Sequence, residues 1–381
     1  MRISKFLQRP RAVILTTLVI VTGVFSCRER FTPNVNSLEQ SFLVVEGNLN
    51  AGRDSTVIRL TRSYKLDANA SIKTEDKATV TVEGSDGTSR SLNWRGNGYY
   101  TSLDLNMVIN TNYRLRIRTV AGREYLSDFV NARETPAIDS INWVREEKGV
   151  RIFANAKDVT NNSRYYRWDF DETWEINSFY HSFYVYQGNG VRRRILPAEE
   201  VFYCWKYDIS RKIPLANSTR LQNDVIYQAP IMFIPNKDER LSVRYSIFVR
   251  QYALDKEAYN FYELMKKNTE DIGNIFTPQP SEIRGNIHSV TDPSEYVLGY
   301  VTASTVPTKR IFIKIDRWDF PQHCPDIRVP DRPDSIAFYF GSGALIPYDF
   351  FTDPRPEYGG SFPECCDCTK RGGSVTKPSY W

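Results

Sequence analysis

Six cysteines hold most of the covalent chemistry open to this chain, and the first stands apart from the others. Val24-Phe25-Ser26-Cys27 reads as a lipobox, with an aliphatic residue, a bulky Phe and a small residue ahead of the cysteine. Arg2, Lys5, Arg9 and Arg11 precede it, followed by an apolar stretch from Ala12 to Phe25 that is too short to span a membrane. The expected chemistry is cleavage before Cys27 and acylation of its thiol. Several acyl chains on one residue make a stable anchor, since each buried methylene contributes about 0.8 kcal/mol. An ordinary signal peptide with an incidental Cys, or an uncleaved anchor, are the other readings.

The remaining cysteines are Cys204, Cys324, Cys365, Cys366 and Cys368. In an exported chain they are expected to oxidise, and their odd number leaves one thiol without an intramolecular partner. Adjacent Cys365 and Cys366 make a poor pair with each other. A bond from Cys324 to the trio would close a loop of about 40 residues, which chain entropy credits with roughly 4 kcal/mol. Cys204 could take another of the trio. Zinc is the competing chemistry, but the spacing lacks a two-by-two ligand pattern.

Other reactive side chains form no recognisable constellation. His181, His288 and His323 are far apart, and Gly341-Ser342-Gly343 lacks nucleophile-elbow spacing. No phosphate loop or dinucleotide fingerprint occurs. Asp169, Asp171, Glu172 and Glu175 invite comparison with a carboxylate site, and alternation sets Asp169 and Asp171 on one strand face; a solvated edge accounts for them as well. Arg192-Arg193-Arg194 reads as a solvated loop, with a phosphate or lipid-headgroup contact as the alternative. No catalytic residue, cofactor or metal is assigned.

The elements that must position these groups are mostly short strands. Phe42–Gly47, Ser55–Leu60, Ala78–Val82 and Tyr113–Arg118 alternate or run apolar, with turn signals every 10 to 20 residues. They predict an immunoglobulin-like β-sandwich over 39–134, after a tether at 27–38. A second β-rich domain is expected over 135–320, with the strand Ser242–Tyr252 and one helix at 255–269. Ala258, Phe261, Tyr262 and Met265 form that helix's apolar stripe, and Pro278 and Pro280 lie beyond its end. Residues 321–381 read as a Cys-rich, loop-like C-terminal segment. The fold class is therefore mainly β. Within Phe179–Tyr186, the rings of Phe179, Tyr180, Phe183, Tyr184 and Tyr186 occupy both faces of an expected strand. They suit internal packing, a protein interface or a stacked ligand.

Bulk composition narrows the function classes. Of 50 Lys and Arg, four lie in the leader, leaving 46 against 45 acidic residues, or +1. Such a balance gives no footing for a nucleic-acid partner. The 23 Tyr, 21 Phe and 7 Trp suit half-buried β surfaces. Asp54-Ser55-Thr56, Asp139-Ser140-Ile141 and Asp334-Ser335-Ile336 resemble O-glycosylation acceptor triplets of Bacteroidota, marking Ser55, Ser140 and Ser335.

Several segments together resemble the family called domain of unknown function 4249, outer-membrane lipoproteins of Bacteroidota. They include Leu43-Val44-Val45-Glu46-Gly47, Thr135-Pro136 with Ile138-Asp139-Ser140-Ile141, and Tyr165-Tyr166-Arg167-Trp168. Gln251-Tyr252-Ala253-Leu254, Gly285-Asn286-Ile287 and Cys365-Cys366-Asp367-Cys368 with Lys377-Pro378 to Trp381 continue the match. The resemblance implies a lipid-anchored outer-membrane protein, facing the periplasm or the cell surface. It further implies a TonB-dependent receptor as partner and, with it, a small nutrient ligand. The expectation is a non-enzymatic accessory of such a transporter. A structural or adhesive surface module, and an enzyme with an unrecognised site, are the alternatives.

Overall fold

Alternating sequence becomes alternating burial in the strand Asn112–Arg118, where Tyr113, Leu115 and Ile117 point into a core and Arg114, Arg116 and Arg118 point out. The computed structural model describes residues 41–63, 73–270 and 283–381. Cys27, its lipobox, the tether at 27–38 and the prolines beyond the helix lie outside the described residues. The chain is mainly β, and Phe42–Trp381 folds as one unit.

The first module is a sheet that wraps nearly closed. Its order runs Glu124–Ser127, Asn112–Arg118, Thr79–Gly84, Ser89–Gly96, Tyr99–Ser102, Thr56–Arg62, Leu43–Asn50. Ser89–Gly96 turns the corner: it pairs with Thr79–Gly84 up to Leu92, and with Tyr99–Ser102 from Asn93 through a bulge. This module does not close within 39–134. Ile287–Ser289 pairs with Glu124–Ser127 at one end, and Val297–Leu298 runs parallel to Leu43–Asn50 at the other. Ala303–Ser304 adds to the same strand. The physical reason is edge protection. Two end strands would otherwise expose rows of unpaired amides, and the returning chain covers both.

The two-layered sandwich lies in the second module, while the first is the wrapped sheet rather than the expected immunoglobulin-like sandwich. Ile138–Glu146, Gly149–Asp158 and Asp224–Pro235 form one sheet. Tyr203–Ile209, Tyr165–Asn177, Arg244–Leu254 and Thr308–Ile313 form the facing sheet, with Leu215–Asn217 added beside the start of Tyr165–Asn177. Two sheets thus face each other across a shared core. Between the sheets lie Val150, Ile152, Tyr166, Trp168, Phe170, Ile234, Tyr245, Ile247 and Val249. Trp168 is wholly buried; its Nε1 donates to Gln251 Oε1 at 2.8 Å, and Gln251 Nε2 donates to the Pro136 carbonyl at 2.8 Å.

The expected helix spans Lys256–Glu270. Asp255 Oδ1 accepts from the Ala258 amide at 2.7 Å, satisfying one of the donors that a helix start leaves open. Ala258, Phe261 and Tyr262 are buried as the stripe requires.

Residues 321–381 are not loop-like. Ile327–Pro330, Glu357–Ser361 and Ile346–Phe351 make a three-stranded sheet, and Val329, Ile336, Phe340 and Leu345 give it a small core. This lobe packs on the hairpin Tyr184–Gln187 with Gly190–Arg193, which is inserted between the third and fourth strands of the sandwich. Two disulfides fasten it, Cys204–Cys368 and Cys324–Cys365, leaving Cys366 free and buried. Both join the cysteine trio to an upstream partner, as expected. With separations of 164 and 41 residues, the loops would be worth about 5 and about 4 kcal/mol in the chain-entropy account. Burial pushes the Cys366 thiol up to about 12, so it stays protonated and inert at neutral pH.

Candidate contact surface

Period-two alternation puts odd positions of Tyr165–Asn177 and even positions of Arg244–Leu254 on the sheet face opposite the core. Cross-strand register then sets side chains in rows. Trp205, Glu175 and Arg244 form one row; Tyr207, Thr173, Ser246 and Phe312 the next; Ile209, Asp171, Phe248 and Arg310 the third. Asp169, Arg250 and Thr308 follow. Further along, Arg167 lies 4.2 Å from the Tyr252 ring centre and 4.7 Å from that of Tyr262 on the helix.

The carboxylates on this face are structural. Tyr165–Asn177 is a central strand, paired on both sides, so Asp169 and Asp171 do not sit on a solvated edge. Arg250 Nε donates to Asp169 at 2.5 Å, and its two Nη groups donate to Asp171 at 2.6 and 2.9 Å. Burial disfavours the Arg250 charge, yet the two aspartates outweigh it and hold its pKa above the ordinary guanidinium value. Glu172 points the other way, only 4% exposed, and accepts from Tyr245 Oη at 2.6 Å and Arg240 at 3.0 Å. Glu175 accepts from the Trp381 indole at 3.1 Å. Each expected acid thus faces a donor of its own.

The lower rows are covered by the segment Ser374–Trp381. Ser374 and Trp205 exchange main-chain bonds of 2.8 and 2.9 Å at the sheet edge. Tyr380 then lies over Arg310, 3.7 Å from guanidinium to ring centre, with its hydroxyl 2.7 Å from Thr173 Oγ1. Trp381 meets Phe312 edge-on at 5.3 Å and Arg244 at 5.3 Å. Gly372 and Gly373 make the approach possible. Gly372 has φ +82°, and a Cβ on Gly373 would come within 2.5 Å of Cys204 Cβ.

The aromatic stretch is mostly spent on packing, and only Tyr184 to Tyr186 of it is strand. Tyr180 stacks on Tyr348 with centres 4.1 Å apart and donates to the Cys324 carbonyl. Tyr184 meets Phe350 and Tyr358, and Tyr186 packs in the lobe's core. Phe183 lies against His181, which also stacks on Phe202 and bonds Glu200 at 3.0 Å. Phe179 alone of the five is exposed, at 53%. Arg192 is not simply solvated: it clamps Glu199, whose pKa that hydrogen bond chiefly holds down to about 2. Arg194 reaches inward to the Ser182 hydroxyl and the Tyr184 carbonyl. His288 and His323 do not approach the sheet face. Among the acceptor triplets, Ser55 is exposed just after a bend; Ser140 accepts from Asn155 within a strand, and Ser335 lies half-buried in the short helix Pro333–Ile336.

Elsewhere on the lobe, a cleft of about 650 Å³ is lined by Phe338, Tyr339, Phe362, Ile327 and Leu345. Phe338 is 72% exposed. Among the described residues no group of three or more His, Cys, Asp or Glu is arranged to hold a metal ion.

Sequence reasoning missed Arg244, Arg310, Tyr380 and Trp381. Alternation in Arg244–Leu254 could have placed Arg244 outward. Nothing local could have brought residues 380 and 381 onto it.

A half-buried ion cluster locks the lobe to the sandwich. Glu239 accepts from Lys206 at 2.6 Å and from Arg371 at 2.5 and 3.1 Å, and Arg371 also donates to the Asn177 carbonyl. Burial alone would raise the Glu239 pKa, but Lys206 and Arg371 outweigh it and hold it below the usual carboxylate range. A depressed folded-state pKa contributes stability above the unfolded value of 4.5, lost as pH falls through the folded value. Glu239→Gln should therefore lower the melting temperature at pH 7, and the gap to wild type should shrink in acid as the pH falls from 4.5 through the lower folded value. Thermal melts at pH 7 and in acid check this; a gap that persists undiminished in acid would show that the ion pairs are not its source.

A family model described as domain of unknown function (DUF4249) matches residues 28–310. No curated protein matches the chain.

Proposed function

Since the chain belongs to the domain of unknown function 4249 family, we propose that it is a lipid-anchored, non-enzymatic accessory of a TonB-dependent transporter in the outer membrane. It holds a partner or a nutrient and presents it, without making or breaking bonds. The observation that carries this reading is the outer face of the sheet centred on Tyr165–Asn177. Its acids are tied up with arginine and tryptophan donors, and its remaining arginines stack on rings. Such a surface suits recognition more than proton transfer, which needs an acid or base free to change its charge. The lobe's apolar cleft is of a size that takes small ligands. Anchoring at Cys27 would keep both surfaces near the membrane.

The test is affinity purification of the tagged chain from native outer membranes in mild detergent. Co-elution of a TonB-dependent β-barrel is expected. Should the chain elute alone, with its deletion leaving nutrient uptake unchanged, the accessory role is wrong and a structural surface role gains.

A further inference from the structure

We propose that the sheet face beneath Ser374–Trp381 is a docking slot for a peptide that presents two consecutive aromatic residues from a turn, and that Tyr380 and Trp381 occupy it in cis. This rests on reading the chain as a binding module, and names the chemistry that the module recognises.

The slot is built without the segment that fills it. Arg244 already lies on Phe312, 4.2 Å from its ring centre, and Arg310 on Phe248 at 4.7 Å, all four within the sheet. Arg310 is further fixed by a 2.9 Å bond to the Ser246 hydroxyl. Neither arginine pairs with a carboxylate among the described residues, so each offers its upper guanidinium face to a ring. Beside them, Thr173 can exchange a hydrogen bond with a phenol hydroxyl, and Glu175 accepts from an indole N–H. An aromatic pair with donors on its rims, tyrosine or tryptophan, is what these groups fit. At the edge, the Trp205 main chain is open to an incoming strand, the role Ser374 now fills.

The resident segment is held at its two ends. Between them its polar contacts are internal, Thr376 N to Ser374 Oγ at 3.2 Å and Trp381 N to the Pro378 carbonyl at 3.1 Å. Val375, Thr376, Lys377 and Ser379 are exposed. Ordering so exposed a run offsets much of what a few hydrogen bonds and ring contacts return. Exchange for a competing peptide is therefore within reach, and the covalent anchor at Cys204–Cys368 keeps the displaced segment close by.

The experiment uses the full chain with residues 379–381 removed, and a dye-labelled peptide Lys-Pro-Ser-Tyr-Trp read by fluorescence polarisation. The shortened chain should bind saturably, and the intact chain at least about tenfold more weakly because its own rings compete. A Lys-Pro-Ser-Ala-Ala peptide should not bind. Arg310→Gln in the shortened chain should weaken binding about tenfold or more. No saturable binding up to millimolar peptide, or equal binding by the intact chain or by the Ala-Ala peptide, overturns the proposal. If circular dichroism shows the shortened chain unfolded, the Tyr380→Ala, Trp381→Ala chain replaces it. If that chain unfolds too, the rings are part of the fold and the slot does not exist. The peptide assay needs no transporter, so peptide binding and co-purification can fail independently of each other.

Discussion

Trp168→Ala should destabilise the chain by about 4–8 kcal/mol. The largest part is the loss of a fully buried indole at the centre of the sandwich, where Trp→Ala changes cost about 3–5 kcal/mol through lost transfer energy and the cavity left behind. The rest is polar. Gln251, itself wholly buried, would lose the donor to its Oε1 and leave an unsatisfied acceptor, at about 1–3 kcal/mol. Set against a typical stability of about 5–15 kcal/mol, the sum is a large share. Trp168→Phe separates the two parts: it keeps much of the ring and loses the N–H, so about 1–3 kcal/mol is expected from the stranded acceptor, plus a smaller packing loss. Urea unfolding followed by circular dichroism measures both. A loss under about 1 kcal/mol for Trp168→Ala would mean that this indole is not the keystone of the inter-sheet core.

Much of the fold was legible where the signal is local. Asn112–Arg118 alternates so strictly that strand, inner face and outer face all follow from the letters. The helix at Lys256–Glu270 announced itself through Asp255 and an apolar stripe at helical spacing. What stayed hidden is pairing between distant segments. Thr135-Pro136 looks like a domain boundary because the chain does leave the first module there. Residues 287–304 come back to it only because two sheet ends need partners, and short runs such as Val297–Leu298 carry no periodicity to say so. A two-layered sandwich was expected in the first module, where the sheet wraps nearly closed, for the same reason. Strand count and spacing are alike in both, and only the hydrogen-bonded order tells them apart.

The contact surface was half legible. Cysteine counting gave the trio's upstream partners because only two were on offer. The acids of Tyr165–Asn177 were visible, but whether they sat on an edge or a central strand depended on neighbours about 40 to 80 residues away. Their partner Arg250 lies about 80 residues on in sequence and one strand across in space. The aromatic run at Phe179–Tyr186 left packing, interface and ligand stacking all open because its rings fall on both faces. Its cover comes from a lobe that begins well over 100 residues later, and whose tie through Cys324–Cys365 fixes Tyr348 against Tyr180. Composition counts aromatic rings; it does not say which of them face each other.

Cys27→Ala should move the protein from the membrane fraction to the soluble one, or leave it as an uncleaved precursor. The argument is one of hydrocarbon. At about 0.8 kcal/mol per buried methylene, a single 14-carbon chain binds membranes only marginally, and stable residence needs a second chain or another signal. The mature chain, near neutral at +1 by residue count, offers little electrostatic attraction to lipid to replace them. Among the described residues no helix is long and apolar enough to cross a membrane in their stead. Loss of one thiol should therefore remove nearly all attachment, where a protein held by its partner would lose only part. Metabolic labelling with a fatty acid, followed by fractionation, separates these outcomes. Label on the wild type alone and its release in the variant support the anchor. Equal label on both would place the acyl chains elsewhere, and an unlabelled wild type that still sediments with membranes would hand the attachment to protein contacts on the folded unit.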